Sequence, residues 1–300
     1  MKIFDCTTFY NENLMLETRF NILNDFVDKF VISEAKYSHS GEKKKLNFDF
    51  NRFKEFKKKI IYLVVENEPN SLVYEKREME ERLEKDEDKR QNSIKRIAHQ
   101  RDYLLSGLSE ADKDDYIFYS DNDEIPNFEN FDLENNKSKI IMFKQKLFYY
   151  KFNLYCDRVD WFGTKGCKKK NLKSFSWLRE IKTKKYPFFR IDTLFSKNKY
   201  IDLKIIVDGG WHFSRLMTPK DMEIKLTNSE DHYEFKLSKI KLSNIEDFVK
   251  RKVIEYDHKA KTTDYKFGKE FKLKTLPIEY MPLFLRKNVN KYSEWFDFEK

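Results

Sequence analysis

Three carboxylates stand close together in the stretch YIFYSDNDEIP: Asp121, Asp123 and Glu124. They follow an apolar run suited to a buried strand. If the chain stays extended, Asp121 and Asp123 share one face, because strand side chains alternate with period two. Two carboxylates on one face repel each other. A hard divalent cation, Mg²⁺ or Mn²⁺, would relieve that repulsion, and a diphosphate is the usual completion of such a site. An acidic surface turn is the competing explanation. An EF-hand is not, because Pro126 stands where the loop needs glycine. A second chemical candidate is DGGWHFS, residues 208–214. Paired glycines permit close backbone approach or a sharp bend. Trp211 offers a stacking surface, and His212 a metal ligand or proton acceptor. A tight turn beside a core tryptophan competes with that reading.

The elements that must position these residues alternate. KIFDCTTFY opens with a strand, and Leu16, Phe20, Leu23 and Val27 then mark one face of a helix. KFVIS (29–33) predicts a second strand ending at Glu34, 51–59 a short helix, and IIYLVV (60–65) a third strand. The continuous apolar run of that third strand predicts burial on both faces. Residues 71–93 alternate in charge and suit an exposed helix or mobile segment. A helix through Ile94, Ile97, Leu104, Leu105 and Leu108 then leads to the strand at 114–120. Such alternation is the signature of an α/β sheet. Strands are expected at 139–155, 188–195 and 203–214, and helices beyond. Thr218 with Pro219 suits a helix start, and Ser243 with Glu246 a capping box.

Composition narrows the class. Hydrophobic residues make up 40% and aromatics 16% of 300 residues, enough for a large core. Cys6, Cys156 and Cys167 include no CxxC pair, so neither a disulfide framework nor a zinc knuckle is expected. A reducing compartment fits better. No apolar run reaches the ~18–20 residues that span a bilayer, and the start turns polar too early for a signal peptide. The expectation is a cytoplasmic chain with a peripheral contact at a membrane surface. The net charge is +9, with basic runs at 165–173 and 182–185 that suit phosphates or anionic lipid unless they are ordinary solvated loops.

The opening FDCTTFYNENLMLETRFNILNDFVDKFVISEAKYSHSG resembles that of glycosyltransferase family 17, the family of the enzyme that adds the bisecting β-1,4-N-acetylglucosamine to N-glycans. Asp5, Phe9, Asn11, Glu12, Leu16, Glu17 and Arg19 match its first pattern in order. Asp28, Lys29, Phe30, Val31, Ile32 and Glu34 match the next. HQRDYL is similar to the family's Q-R-N segment at Gln100, Arg101 and Asp102, with Asp102 in place of the usual Asn. SDNDEIP resembles its D-x-D-E-I-P motif, GGWHFS its G-W-H-x-S motif, and LPIEYMPLFLRKNVNKYSEWF its closing stretch. Animal members carry an N-terminal membrane anchor and stem, and no counterpart of these is expected for this chain.

The resemblance implies an α/β, GT-A-like nucleotide-sugar-binding fold with a central, mostly parallel sheet. The core would be 1–215, with a helical section at 216–300 packed on it as one continuous domain. It implies inverting transfer of a sugar, expected to be N-acetylglucosamine, from a UDP-sugar to a glycan, glycoprotein or glycolipid, with Mn²⁺ or Mg²⁺ as cofactor. Asp123 would bind the metal, Asp121 the ribose or a metal-bound water, and His212 would be a further metal ligand. Glu12, Glu34, Arg101 and Trp211 are further donor-site candidates. Asp208, Glu180 and Glu124 are candidates for the base that an inverting displacement requires. The basic runs would suit a phosphate-bearing acceptor or an anionic membrane. Two rivals remain. A metal-dependent nucleotidyl or phosphoryl transferase usually needs a further acidic cluster. A nucleic-acid-binding protein leaves DNDE as an unexplained repulsive patch, and no nucleic acid is expected.

Overall fold

The computed structural model describes residues 1–74, 86–129, 131–133, 135–187, 189–193, 195–230, 232–260 and 266–298. The first third alternates as the sequence predicts: β1 (Ile3–Phe9), α1 (Asn13–Leu23), β2 (Lys29–Ala35), β3 (Ile60–Val65), α2 (Asp86–Tyr103) and β4 (Tyr116–Ser120). These four strands are parallel, in the order β3-β2-β1-β4. The chain continues through β5 (Glu124–Pro126), β6 (Ile140–Tyr149), β7 (Leu154–Lys168), α3 (Phe175–Glu180), β8 (Leu203–Ile206) and β9 (Gly210–Ser214). Beyond β4 the sheet adds β7, β6, β9 and β5, with β8 also on β6. β7 runs antiparallel to both β4 and β6, so the sheet changes from parallel to mixed there. The result is the α/β, GT-A-like architecture expected.

Strand burial explains the parallel half. All five residues of β4 are buried, as are the last six of β2. β3 is the exception, with only Val65 fully buried. Its apolar run predicted cover on both faces, but it is the edge strand and gains neighbours on one side only. Two apolar layers flank the sheet. One gathers Leu16, Phe20, Phe30, Phe118 and Phe143 with Leu285 and Tyr292 from near the C-terminus. The other gathers Cys6, Val31, Ile117 and Cys167 with Phe175 and Leu178 of α3. The three cysteines are buried and unpaired.

The section after residue 215 is less uniformly helical than predicted. It contains α4 (Pro219–Asn228), α5 (His232–Ser238) and α6 (Leu242–Arg251). Then come β10 (Val253–Tyr256), β11 (Phe267–Lys272), β12 (Lys274–Thr275) and α7 (Leu283–Lys287). β10 and β11 form a separate antiparallel pair, while β12 returns to β7 in the main sheet. Thr218 caps α4 by accepting from the Asp221 amide. The predicted capping box on α6 is displaced: Asn244 accepts from the Lys241 amide, and the helix begins before Ser243. No described helix is long and apolar enough to cross a membrane.

Other local expectations also change. Residues 51–59 form turns around a short 3-10 segment, Lys54–Phe56. Of the charged stretch 71–93, residues 75–85 lie outside the described ones, and α2 starts at Asp86. The described part of 188–195 contains a 3-10 turn, Ile191–Thr193, rather than a strand. The expected strand at 203–214 is two strands, β8 and β9, broken at 207–209.

One buried ion pair joins the first helix to the acidic loop. Arg19 of α1 is fully buried and donates to both oxygens of Asp5, at 2.7 and 2.5 Å. The same guanidinium donates to the Glu124 carbonyl at 2.7 Å and the Ser120 hydroxyl at 3.0 Å. Removing one partner of such a pair leaves the other as an uncompensated buried charge, costing about 3–5 kcal/mol. An Arg19→Met variant is therefore expected to lose about that much stability in urea unfolding. A loss under about 1 kcal/mol would contradict this role.

Candidate active site

β1 and β4 end side by side, where ligands of open α/β sheets bind. A cleft of about 290 Å³ opens there, lined by Tyr10, Glu12, His39, Gln100, Arg101, Asp121, Asn122, Asp123, Glu124, Trp161, His212 and Lys225. The acidic loop does not stay extended. The Glu124 amide donates to the Asp121 carbonyl at 3.0 Å, closing a turn. Asp121 and Asp123 reach one cleft through that turn rather than by strand alternation.

Each carboxylate meets a cation from another element. Asp121 accepts from the Tyr119 hydroxyl at 2.8 Å and from Arg179 of α3 at 2.8 Å, with Arg101 of α2 at 3.8 Å. Burial works to raise its pKa, but Arg179 and Arg101 hold it below the usual carboxylate range. Asp123 lies 3.5 Å from His212 Nε2 and 3.9 Å from Lys225 Nζ. Burial again opposes ionisation, and His212 and Lys225 outweigh it, holding Asp123 well below its ordinary value. Lys225, carried in by α4, also pairs with Glu12 at 2.9 Å. Burial would raise the Glu12 carboxyl, and Lys225 lowers it. His39 is pushed down to about 4, first by burial and then by Arg101, and is neutral near pH 7.

Glu124 is fully buried. Arg179 grips both of its oxygens at 2.9 Å, and Trp161 Nε1 donates to it at 2.7 Å. That bond fixes the indole, whose ring centre lies 4.5 Å from the His212 ring. The His212 side of the cleft depends on close backbone packing. Gly210 has φ +121, and a Cβ there would overlap the Ile125 carbonyl oxygen. Only glycine lets β9 lie against β5 and bring His212 opposite Glu124.

Asp123 and His212 offer a carboxylate oxygen and an imidazole nitrogen on one wall of an open cleft, a mixed pair that suits Mn²⁺ better than the harder Mg²⁺. His212 Nδ1 and both polar side-chain atoms of Asn122 are buried without a hydrogen-bond partner among the described residues. No group of three or more His, Cys, Asp and Glu side chains suited to a metal occurs among the described residues.

The family model of glycosyltransferase family 17 matches residues 1–247. The chain belongs to glycosyltransferase family 17. No curated protein matches it. Among solved structures, the inositol-1-phosphate CTP transferase from T. maritima is similar over 77% of this chain and 96% of its own, at 11% identity and a TM-score of 0.32.

Of the residues expected to serve this glycosyltransferase, Glu12, Arg101, Asp121, Asp123, Glu124 and His212 converge on the cleft. Others do not. Glu34, fully buried, accepts from Lys44, the Asn47 and Phe48 amides and the Tyr62 hydroxyl, so it holds a loop. Trp211 turns to the opposite face, where its indole N–H donates to the Tyr280 carbonyl at 2.8 Å. Asp208 is 73% exposed and paired with Lys146, and neither it nor Glu180 lines the cleft. The basic run at 165–173 is largely consumed internally. Lys165 donates to the Arg179 and Ile181 carbonyls, Lys169 to those of Leu108 and Ala111, and Lys168 and Lys170 pair with Asp114. Asp102 accepts from the Ser176 amide at the start of α3.

Sequence reasoning did not anticipate Arg179, Lys225, Trp161 or His39. Each stands alone in its segment, with no spacing that marks it. The three depressed carboxylates carry a pH signature. Their stabilisation is complete above the unfolded-chain values near about pH 4, and it is lost as pH falls through the lower folded values. Thermal melts between about pH 5 and 2 should show the wild type losing stability more steeply than Asp123→Asn. Parallel curves would refute the assignment.

Proposed function

We propose that this glycosyltransferase transfers a sugar, N-acetylglucosamine being the family expectation, from a UDP-sugar to a glycan or glycolipid with inversion. The donor would lie in the cleft between the ends of β1 and β4. The observation that carries this reading is the Asp123–His212 pair, set 3.5 Å apart on an open cleft wall with Lys225 beside it. Asp123 and His212 would hold Mn²⁺ or Mg²⁺, which when bound supplies Lewis-acid stabilisation to the departing diphosphate. Lys225 and Arg101 add fixed positive charge facing the same space. Asp121, already clamped by Tyr119 and Arg179, suits an acceptor of ribose hydroxyl hydrogen bonds rather than a mobile metal ligand. Both polar side-chain atoms of Asn122, at the cleft wall, are buried without a partner among the described residues. Trp161 forms a flat wall next to the metal-binding pair, suited to the apolar face of a sugar ring.

None of the three candidate bases is proposed. Asp208 and Glu180 stand outside the cleft, and Arg179 with Trp161 occupies both oxygens of Glu124.

UDP with Mn²⁺ at about 100 times its Kd should stabilise the protein by about 2.7 kcal/mol, a rise of several degrees in melting temperature. UDP alone should give little shift, and Asp123→Asn and His212→Ala should abolish the metal-dependent part. Equal shifts with and without metal would overturn the metal role. Lys225→Met is expected to weaken UDP binding by about tenfold or more, from the loss of a charge-assisted contact. Titration calorimetry with UDP reads this directly, and unchanged affinity would remove Lys225 from the donor site.

A further inference from the structure

We propose that the described residues of 182–199, among them Phe189, Ile191 and Phe195 with the lysines around them, form a docking surface for an anionic lipid bilayer, which holds the enzyme at a membrane while its cleft stays in water. This goes beyond the donor-site reading and does not depend on the metal.

The segment is an eighteen-residue excursion between α3 and β8. Its base is closed where the Lys182 amide donates to the Asn198 carbonyl at 2.8 Å, and Trp177 Nε1 donates to the Lys197 carbonyl at 2.9 Å. Loops this long in a compact domain usually carry function. On it, Phe189 is 67% exposed, Ile191 70% and Phe195 85%. Large apolar side chains so open to water gain from insertion at the headgroup boundary.

Charge selects the kind of surface. The segment holds five lysines and Arg190 against one acid, Asp192. Arg190 and Lys199 pair with Asp192. Lys182, Lys184, Lys185 and Lys197 are exposed and form no ion pair with any described residue. Lysines flanking exposed Phe and Ile complement anionic headgroups over an acyl interior. A single-stranded nucleic acid fits less well, because Ile191 cannot stack on a base as an aromatic ring can. The basic run at 165–173 does not compete for this role, since its lysines largely have internal partners.

The surface is also rooted beside the site. Arg179, which holds Asp121 and Glu124, lies three residues before Lys182, and Lys165 ties down the Arg179 and Ile181 carbonyls. The segment is thus continuous with the element whose Arg179 holds the cleft's carboxylates.

Flotation with vesicles of equal parts phosphatidylglycerol and phosphatidylcholine tests this, with pure phosphatidylcholine vesicles alongside. The wild type should float with the anionic vesicles and much less with the neutral ones, and salt should weaken the binding. Lys184→Glu/Lys185→Glu should lower the partition coefficient about tenfold or more, because each basic residue near such a surface is worth about fivefold. Ile191→Ser/Phe195→Ser should lower it by a similar factor. Unchanged thermal melts of both variants show that folding is intact, and UDP binding should stay at the wild-type level. Three outcomes would overturn the proposal: equal flotation of wild type and variants; tighter wild-type binding to a single-stranded oligonucleotide than to anionic vesicles; or a concentration-dependent dimer that both variants abolish while flotation is unchanged.

Discussion

Four carboxylates crowded into one cleft, Glu12, Asp121, Asp123 and Glu124, impose the constraint around which the other elements are arranged. Left alone in so confined a space they would repel each other. Cations brought in by other elements offset that repulsion. Arg179 of α3 takes Asp121 and Glu124, Arg101 of α2 stands near Asp121, and Lys225 of α4 spans Glu12 and Asp123. Arg19 of α1 holds the backbone of the loop itself. The helices are thus tied electrostatically to one point, as well as by the apolar layers on the sheet.

This arrangement would suit the proposed nucleotide-sugar donor. Asp123 and Asp121 would meet its metal and ribose, and the cations that balance them line the same cleft. Desolvation makes each buried pair costly to break. Trp161 shows the same economy: the bond that satisfies Glu124 also fixes the indole against His212.

The alternation of the first four strands was legible because parallel strands buried on both faces need continuous apolar runs, as β2 and β4 have. β3 misled for the same reason: it carries such a run yet lies at the edge. The segment 188–195 misled because exposed Phe and Ile imitate a strand when only their types are read. DGGWHFS was legible as a backbone device. Which of its side chains faces the cleft was not, since β9 alternates and sends Trp211 one way and His212 the other.

By itself, the sequence determined the α/β class and the family, and it marked the acidic loop and a distant histidine as site candidates. Those features reside in local runs and ordered motifs, which need no knowledge of contacts. Only the tertiary structure decided which charges meet. Arg179 and Lys225 reach the cleft from separate helices, while Glu34 and Asp208, marked by motif or position, are held elsewhere. Ion pairs depend on distances between elements far apart in the chain. No local pattern records those distances.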